Sequence, residues 1–503
     1  MRLSSSSVLW RVLEDPRGSG EPPHCFLARV LLGLVMLSLA GCVVGPKYAK
    51  PDVPVAPADQ GQLPAEYKES NGWKQAAPAD DKIQPQWWHV FGFPELDELE
   101  QQVDVSNQTV KTAEARFRQA RALIAVNRSN LYPTISAAPS ISSNRQSSNR
   151  AFGTPSKGEY ADFTLPVDLS YEIDAWGRIR RSIAAAREET QASAADLETI
   201  RLSIHAEVAV DYFEVRSLDA QQQLLDATLV AYQKALDLTQ NRFDGGLSSG
   251  SEVAQARTQL ETTRAQDIEV GVARAQFEHA IAVLVGRTPE RFGLAALPLK
   301  TSPPVIPTGV PSQLLERRPD IAAAERRMAE ANDQVGIARV AFFPTLLISA
   351  TGGFEGSSIT NWLNWPSRFW AIGPVALQTL FDAGRRRAIS EGALAAYDAA
   401  VSSYRGTALT AFQEVEDNLS TLRVLAQETE VQHNAVQAAE RSLELSMNRY
   451  RGGLVTYLEV VTAQSTALTN ERTEVDLLRR RMDASVLLIK ALGGGWDVSK
   501  LPT

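Results

Sequence analysis

"NRFDGGLSSGSEVAQARTQL" (241–260) and "NRYRGGLVTYLEVVTAQSTAL" (448–468) carry the same arginine, aromatic residue and diglycine. Arg242 aligns with Arg449, Phe243 with Tyr450, and Gly245-Gly246 with Gly452-Gly453, an offset of 449 − 242 = 207. The offset extends outward, since Glu207-Val208 matches Glu414-Val415, Gly177 matches Gly384 and Gly286 matches Gly493. "NLYPTIS" (130–136) is similar to "AFFPTLLIS" (341–349) at 344 − 133 = 211, so the first copy holds a longer loop between 133 and 177. The chain is a tandem duplication of one large structural half, not a solenoid of short units.

Each diglycine is flanked by helix. From Ile179 to Asp244 there is neither proline nor glycine, about 65 residues or ~98 Å of helix. Leu197, Ile204, Asp211, Leu218, Leu225, Tyr232 and Thr239 recur every seven, as do Val208, Val215, Gln222, Leu229, Leu236 and Phe243. Such a heptad, mainly apolar, is the pattern of coiled-coil packing. "FDAGRRR" (381–387) opens the equivalent stretch, which runs to about Arg451 with only Gly392 and Gly406 inside it, and Val415, Leu422, Val436, Leu443 and Tyr450 take the shifted places. Shorter helices return over 250–285 and 456–491. A helix this long cannot bury one face inside a globular domain, so it packs on its return helix and on neighbouring subunits. Alanine pairs such as Ala194-Ala195 and Ala399-Ala400 permit close approach.

Upstream of each long helix the periodicity changes. In "DFTLPVDLSYEID" (162–174), Phe163, Leu165, Val167, Leu169, Tyr171 and Ile173 alternate with polar residues or proline. That period of two predicts a strand. It fits a soluble sandwich with one face on a core, or a membrane barrel with one face on lipid. The helix predicted from about Leu96 to Leu131 ends at Pro133.

Composition narrows the classes. Hydrophobic residues make up 44% and charged residues 22%, so the chain is not a disordered polypeptide. A net charge of −8 argues against a nucleic-acid partner. Cys25 and Cys42 are the only cysteines, too few for a disulfide scaffold or a Cys-based zinc site. Arg29 precedes "VLLGLVMLSLAGC" (30–42), an apolar run too short to span a bilayer as a helix and suited to a secretory signal. Its "LAGC" ending resembles the bacterial lipobox, which makes Cys42 the acylated first residue of the mature chain. No later segment reaches 18 consecutive apolar residues, so a membrane crossing would have to be made of strands.

The lipobox is followed by "CVVGPKYAKPDVPVA" and "WWHVFGFPELDELEQQV", then by two copies of helix, PT, strand, loop, strand, G, long helix, R(F/Y)xxG and helix. "LERRPDI" (315–321) opens the second copy and "ALGGGW" (491–496) closes it. With these motifs the chain resembles the TolC/OprM-like outer-membrane efflux channels, in their lipoprotein (NodT-type) branch, over essentially all of 42–496. The resemblance implies an α+β membrane protein, a homotrimer in which four strands per chain make a twelve-stranded β-barrel continuous with a twelve-helix periplasmic α-barrel. The strands would be 134–142, 162–174, 344–354 and 369–381, with loops 143–159 and 356–367 outside the cell. Closure by several chains also follows from elementary physics, because four strands leave edges that lipid cannot satisfy.

The implied organisation is a signal peptide (1–41), a lipidated extended segment and equatorial collar (42–94), a first repeat (95–286), a Pro-rich linker (287–311), a second repeat (312–492) and a tail (493–503). Within the repeats the long helices would cover 178–243 and 385–450. Arg178, Arg180, Arg181, Arg385, Arg386 and Arg387 would lie just below the strands, where long cations can reach lipid headgroups. The R(F/Y)xxG turns would be the periplasmic tips, with Arg242, Phe243, Gly245 and Gly246 in one and Arg449, Tyr450, Gly452 and Gly453 in the other. The pore gate would hold Leu458 as an apolar constriction and Glu459 as an acidic ring, with Glu252 nearby. Thr462 stands where the family often has a second acid. The bulk of "LVTYLEV" beside "LSSGSEV" places the tighter part of the gate on the second copy.

Catalytic motifs are lacking: the sequence has no P-loop, HExxH or GxGxxG, and its GxSxG string at 246–250 falls in the diglycine turn between two helical stretches, not between a strand and a helix as a nucleophile elbow requires. His89, His205, His279 and His433 have no ligand at metal-binding spacing, and "EVEDNL" (414–419) reads as a solvated face. No cofactor and no enzymatic activity are expected. The leading function is a passive exit duct in the outer membrane for drugs, toxic compounds or metal ions. Its partners would be a periplasmic adaptor, an inner-membrane pump of the RND class and outer-membrane lipid. The alternatives are a coiled-coil envelope lipoprotein without a pore and a type I protein-secretion duct.

Overall fold

The computed structural model describes residues 44–50, 86–145, 147, 158–306 and 316–502. The signal segment, Cys42, residues 51–85, most of the loop 146–157 and the linker stretch 307–315 lie outside the described residues. The chain divides into two compact units, one formed by the sheet and its adjoining helix ends (127–183 and 334–390, with residues up to Pro46) and one that is helical.

The sheet unit holds β1 (Thr134–Ala137), β2 (Ser140–Asn144), β3 (Tyr160–Ile173), β4 (Thr345–Gly356) and β5 (Arg368–Leu377), all pairing antiparallel. β1 and β2 keep one register on β3, so the expected first strand exists but is interrupted at Ala138-Pro139. Pro139 has no N–H to give the ladder, and Ala138 reaches its partner Pro166 only by a 3.4 Å bond. This strand runs on to Asn144, past the expected 142. The fourth strand ends at Leu377, not 381, because its partner β4 begins at Thr345, opposite Leu377. Beyond it Asp382 accepts from the backbone N–H of Gly384 and Arg386, which commits the chain to the next helix.

The helices are α1 (Pro94–Ser106), α2 (Gln108–Ser129), α3 (Arg178–Asp244), α4 (Gly250–Leu284), α5 (Pro319–Val340), α6 (Arg385–Arg451) and α7 (Tyr457–Ala491). The single helix expected from Leu96 to Leu131 is two. Asn107 is extended between them, its Oδ1 accepts from Val110 N–H (2.9 Å), and its Nδ2 donates to Leu284 O (2.7 Å). An asparagine cap that also ties down the end of another helix outweighs one continued turn. α6, by contrast, passes through Gly392 and Gly406 without a break.

The heptads are the packed stripe. Val208, Val215, Leu218, Leu225, Tyr232 and Thr239 on α3 are buried, as are Val415, Leu422, Val436 and Tyr450 on α6. The main core of the helical unit joins Val208, Val215, Val415 and Leu422 to Trp87, Trp88, Phe91, Leu96, Tyr212 and Phe213, and to Val486 and Ile489 of α7, while Leu218 and Leu225 pack in a second cluster and Tyr450 in a third. In this core Arg216 is completely buried. It donates to Glu95, to Asp219 (2.8 Å) and to Ala295 O (2.6 Å), and its guanidinium lies 4.6 Å over the Tyr212 ring. Asp219 also accepts from Arg274 (2.7 Å) and Leu297 N–H (2.9 Å), so one buried ion network pins the start of the linker to α3 and α4.

Candidate functional site

The alternation of β3 extends across the whole sheet because paired residues share a face. Val167 faces Ala137 and Gly352, Leu169 faces Ile135 and Ala350, and Ile372 lies beyond Ala350 on β5. This face also carries Ile141, Phe354 and Trp370. It is uncovered: Trp370 is 77% exposed, Ile372 68%, Ile141 67% and Ile135 66%. The other face carries Ser136, Ser140, Thr164, Asp168, Ser170, Ser349 and Thr351, with Ser140 and Thr164 hydroxyls 2.6 Å apart across the strands. Only β5 is apolar on both faces. The outer strands β1/β2 and β5 have no further partner among the described residues. An apolar exposed face, a polar opposite face and two open edges together describe a wall segment and not a layer over a core. Among the described residues no helix is long and apolar enough to cross a membrane.

The arginines after the strands are mostly engaged within the chain. Arg178 donates twice to Glu172 (2.8 and 2.7 Å), Arg180 to Asp174 (3.0 Å) and Arg386 to Asp382 (2.7 Å). Arg181 is buried and donates to the carbonyls of Val44 and Pro46. The belt of six headgroup-seeking cations is therefore reduced. Arg385 is exposed, and among the described residues its side chain has no hydrogen bond or ion pair.

Both hairpin tips close in the same way. Gly245, Gly246 and Leu247 N–H donate to Asn241, Phe243 and Arg242 carbonyls, and Gly452, Gly453 and Leu454 repeat the pattern on Asn448, Tyr450 and Arg449. Gly246 (φ +70°) and Gly453 (φ +73°) sit in the left-handed region that this helix end demands. The side chains then diverge. Tyr450 is buried and packs edge-on against Tyr457 (5.2 Å), whereas Phe243 is 44% exposed. Arg449 pairs with Glu459 (2.8 Å) in its own hairpin, while Arg242 crosses to donate to Arg451 O (3.2 Å) and lies 4.9 Å over the Tyr450 ring. Glu252 accepts from Ser248 and from the Tyr450 hydroxyl (3.3 Å). Leu458 is exposed, and Thr462 donates its hydroxyl to Leu458 O (3.0 Å). The four expected gate residues thus fall in the first two turns of the return helices, but both acids have protein partners.

Sequence reasoning missed a buried acid–histidine cluster. His205 Nδ1 lies 2.6 Å from Glu100 and Nε2 3.4 Å from Asp104, with the ring stacked on Trp88 at 4.6 Å. Burial pushes the Glu100 carboxyl up to about 7, against the pull of the His205 hydrogen bond. Burial works the other way on His205, but its bonds to Asp104 and Glu100 overcome it and hold the imidazole up to about 9. The available signal was Glu100 and Asp104 at i,i+4 on α1; their partner is more than a hundred residues away. No group of three or more His, Cys, Asp or Glu suited to a metal ion occurs among the described residues.

A family model described as "Outer membrane efflux protein" matches residues 99–287 and again 310–494, one match in each repeat. The pyoverdine export outer membrane protein OpmQ of Pseudomonas aeruginosa is 32% identical over 453 residues, covering 88% of this chain and 93% of that protein. The toluene efflux pump outer membrane protein TtgF of Pseudomonas putida is 30% identical over 463 residues, covering 92% and 95%. Among solved structures the outer-membrane channel OprN matches with a TM-score of 0.83 at 27% identity, covering 90% of this chain and all of that one.

Proposed function

The chain belongs to the outer membrane efflux protein family, and from that premise we propose that it is the exit duct of a tripartite efflux system. Three copies share their sheets to close one barrel in the bacterial outer membrane, and their long helices line the periplasmic passage. Small molecules handed over by an inner-membrane pump, of the RND class, and a periplasmic adaptor pass through it passively. Siderophore-like and aromatic compounds are reasonable cargo, given the pyoverdine and toluene named for its relatives. Cys42 carries the lipid anchor. The tips form the gate, with Leu458 as the apolar ring and Glu459, Glu252 and Thr462 beside it.

The observation that carries this reading is the sheet. A strand face as exposed and apolar as Ile135, Ile141, Trp370 and Ile372 is accounted for when lipid covers it, and open edges in lipid require further copies of the same sheet. A coiled-coil spacer has no use for such a face. Reconstitution of the purified full-length protein in planar bilayers tests it. A trimer with stable single-channel conductance is expected, and a non-conducting monomer would return the chain to the spacer class.

A further inference from the structure

Within the sheet unit, a cavity of about 440 Å³ opens where β3, β4 and β5 give way to helix. Ile173, Trp176, Val340, Phe343, Leu346 and Leu377 supply its apolar wall. Trp176 stacks on Phe343 at 4.9 Å and donates its indole N–H to Pro344 O (2.8 Å), which fixes the aromatic floor. Arg178 is spent on Glu172 and Arg386 on Asp382, which leaves the exposed Arg385 as the unpaired cation at the mouth among the described residues. The hydrocarbon wall suits an uncharged alkyl chain in the interior, while Arg385 confines any anionic group to the mouth.

The start of the described chain leads to the same place. Val44 N–H donates to Trp176 O (3.2 Å), and Trp176 is a cavity residue. Arg181, 6% exposed, donates Nε to Val44 O (2.7 Å) and Nη2 to Pro46 O (3.2 Å). The guanidinium is held in a slot that only glycines leave open. A Cβ on Gly45 (φ +120°) would lie 2.8 Å from Gly336 Cα, and a Cβ on Gly336 would lie 2.5 Å from the Arg181 side chain. The clamp therefore fixes Val44, and Cys42, two residues upstream, is held within about 7 Å of it by covalent geometry.

We propose that this cavity seats an acyl chain carried by Cys42, so that the anchor folds back onto the protein beside the sheet instead of dissolving wholly in the bilayer. The proposal rests on the lipidation of Cys42. It gives Arg181 a positioning role, since a released Val44–Pro46 segment would no longer aim the anchor at the cavity.

The test uses the full-length protein in cells fed a palmitate analogue with a diazirine near its terminal methyl. After irradiation of membranes, the purified protein is digested and its cross-linked peptides are identified by mass spectrometry. The expected product joins the Cys42 peptide to a peptide from 337–346 or 377–389, and its yield falls at least fivefold in Ala341→Trp and in Ile389→Trp, two exposed lining positions. A lipidated Cys42 peptide cross-linked only to phospholipid overturns the docking and leaves the anchor standing. Cavity peptides that carry labelled phospholipid but no Cys42 peptide overturn it too, making the cavity a lipid site. An unlipidated Cys42 removes both readings, and a yield unchanged in both tryptophan variants in assembled trimers rejects the cavity as the seat.

Discussion

Val167→Lys should cripple assembly, whereas Thr351→Lys should barely affect it. Val167 lies in the middle of β3, is 46% exposed, and shares the apolar face with Ala137 and Gly352. Thr351 is the neighbour of Gly352 on β4 but points to the opposite face, paired with Asp168. If both faces met water, each would be an ordinary surface substitution worth within ~0.5 kcal/mol. If the first face meets hydrocarbon, a lysine near the bilayer midplane costs about 2–4 kcal/mol, or roughly 30- to 900-fold in the folding equilibrium. Three copies in one barrel compound this to about 6–12 kcal/mol, comparable with the whole stability of a typical domain. Thr351→Lys puts an ammonium opposite Asp168 in a wet lumen, where the pair is worth ~0–1 kcal/mol. Refolding of full-length protein into phosphatidylcholine vesicles across a urea series, scored by trimer yield, measures both. Equal effects of the two lysines, or wild-type trimer yield from Val167→Lys, would refute the assignment of faces.

Glu459→Ala combined with Leu458→Ala should raise single-channel conductance in planar bilayers, because the change removes both the proposed apolar ring and the acid that Arg449 holds; unchanged conductance in an assembled trimer removes these residues from the gate. Arg216→Ala should destabilise the helical unit by about 3 kcal/mol, the low end for breaking a buried pair, because Asp219 keeps Arg274 and Leu297 N–H while the Glu95 side chain is 35% exposed to water. The urea midpoint of the helical circular dichroism signal checks it. The His205 cluster predicts a pH dependence. A histidine held up to about 9 in the fold contributes stability fully below its ordinary value near 6.5 and loses it as pH rises through 9. Stability should therefore fall across that window by at most about 1.4 kcal/mol per pH unit, and His205→Gln should flatten the decline; identical urea midpoints for both proteins from pH 6.5 to 9 would contradict it.

The features legible in the sequence were those that repeat. Strand alternation shows in "DFTLPVDLSYEID" because neighbouring residues face opposite sides, so one exposed apolar face writes a period of two into the chain. The heptads show for the same reason, and they are the buried stripes of α3 and α6. The break at Asn107 was readable in principle, since Ser106-Asn107 is capping chemistry inside a helical pattern. What could not be read was pairing at long range. Arg216 meets Glu95, His205 meets Glu100, and Pro166 stands opposite the interruption at Ala138-Pro139. Each depends on which segments the fold brings together, and no spacing within either segment records it.

The tips show the limit of reading a duplication as two equal copies. Arg242 and Glu252 are spaced like Arg449 and Glu459, and the backbone turns use the same hydrogen bonds. Yet only the second copy forms the local ion pair. The copies differ at the neighbouring position, where the first has Phe243 and the second Tyr450, and again where Gly250 is replaced by Tyr457. The tyrosine ring turns inward between the hairpins and its hydroxyl reaches Glu252, giving the first copy's acid a donor from the other hairpin. Its face then offers Arg242 a cation–π partner, and Arg451 O accepts the guanidinium. Phe243 has no hydroxyl to return the favour, so Arg449 stays with Glu459. Tyr450 and the Tyr457 ring packed edge-on against it, standing where the first copy has Phe243 and Gly250, thus turn two like hairpins into an unequal pair joined through Tyr450.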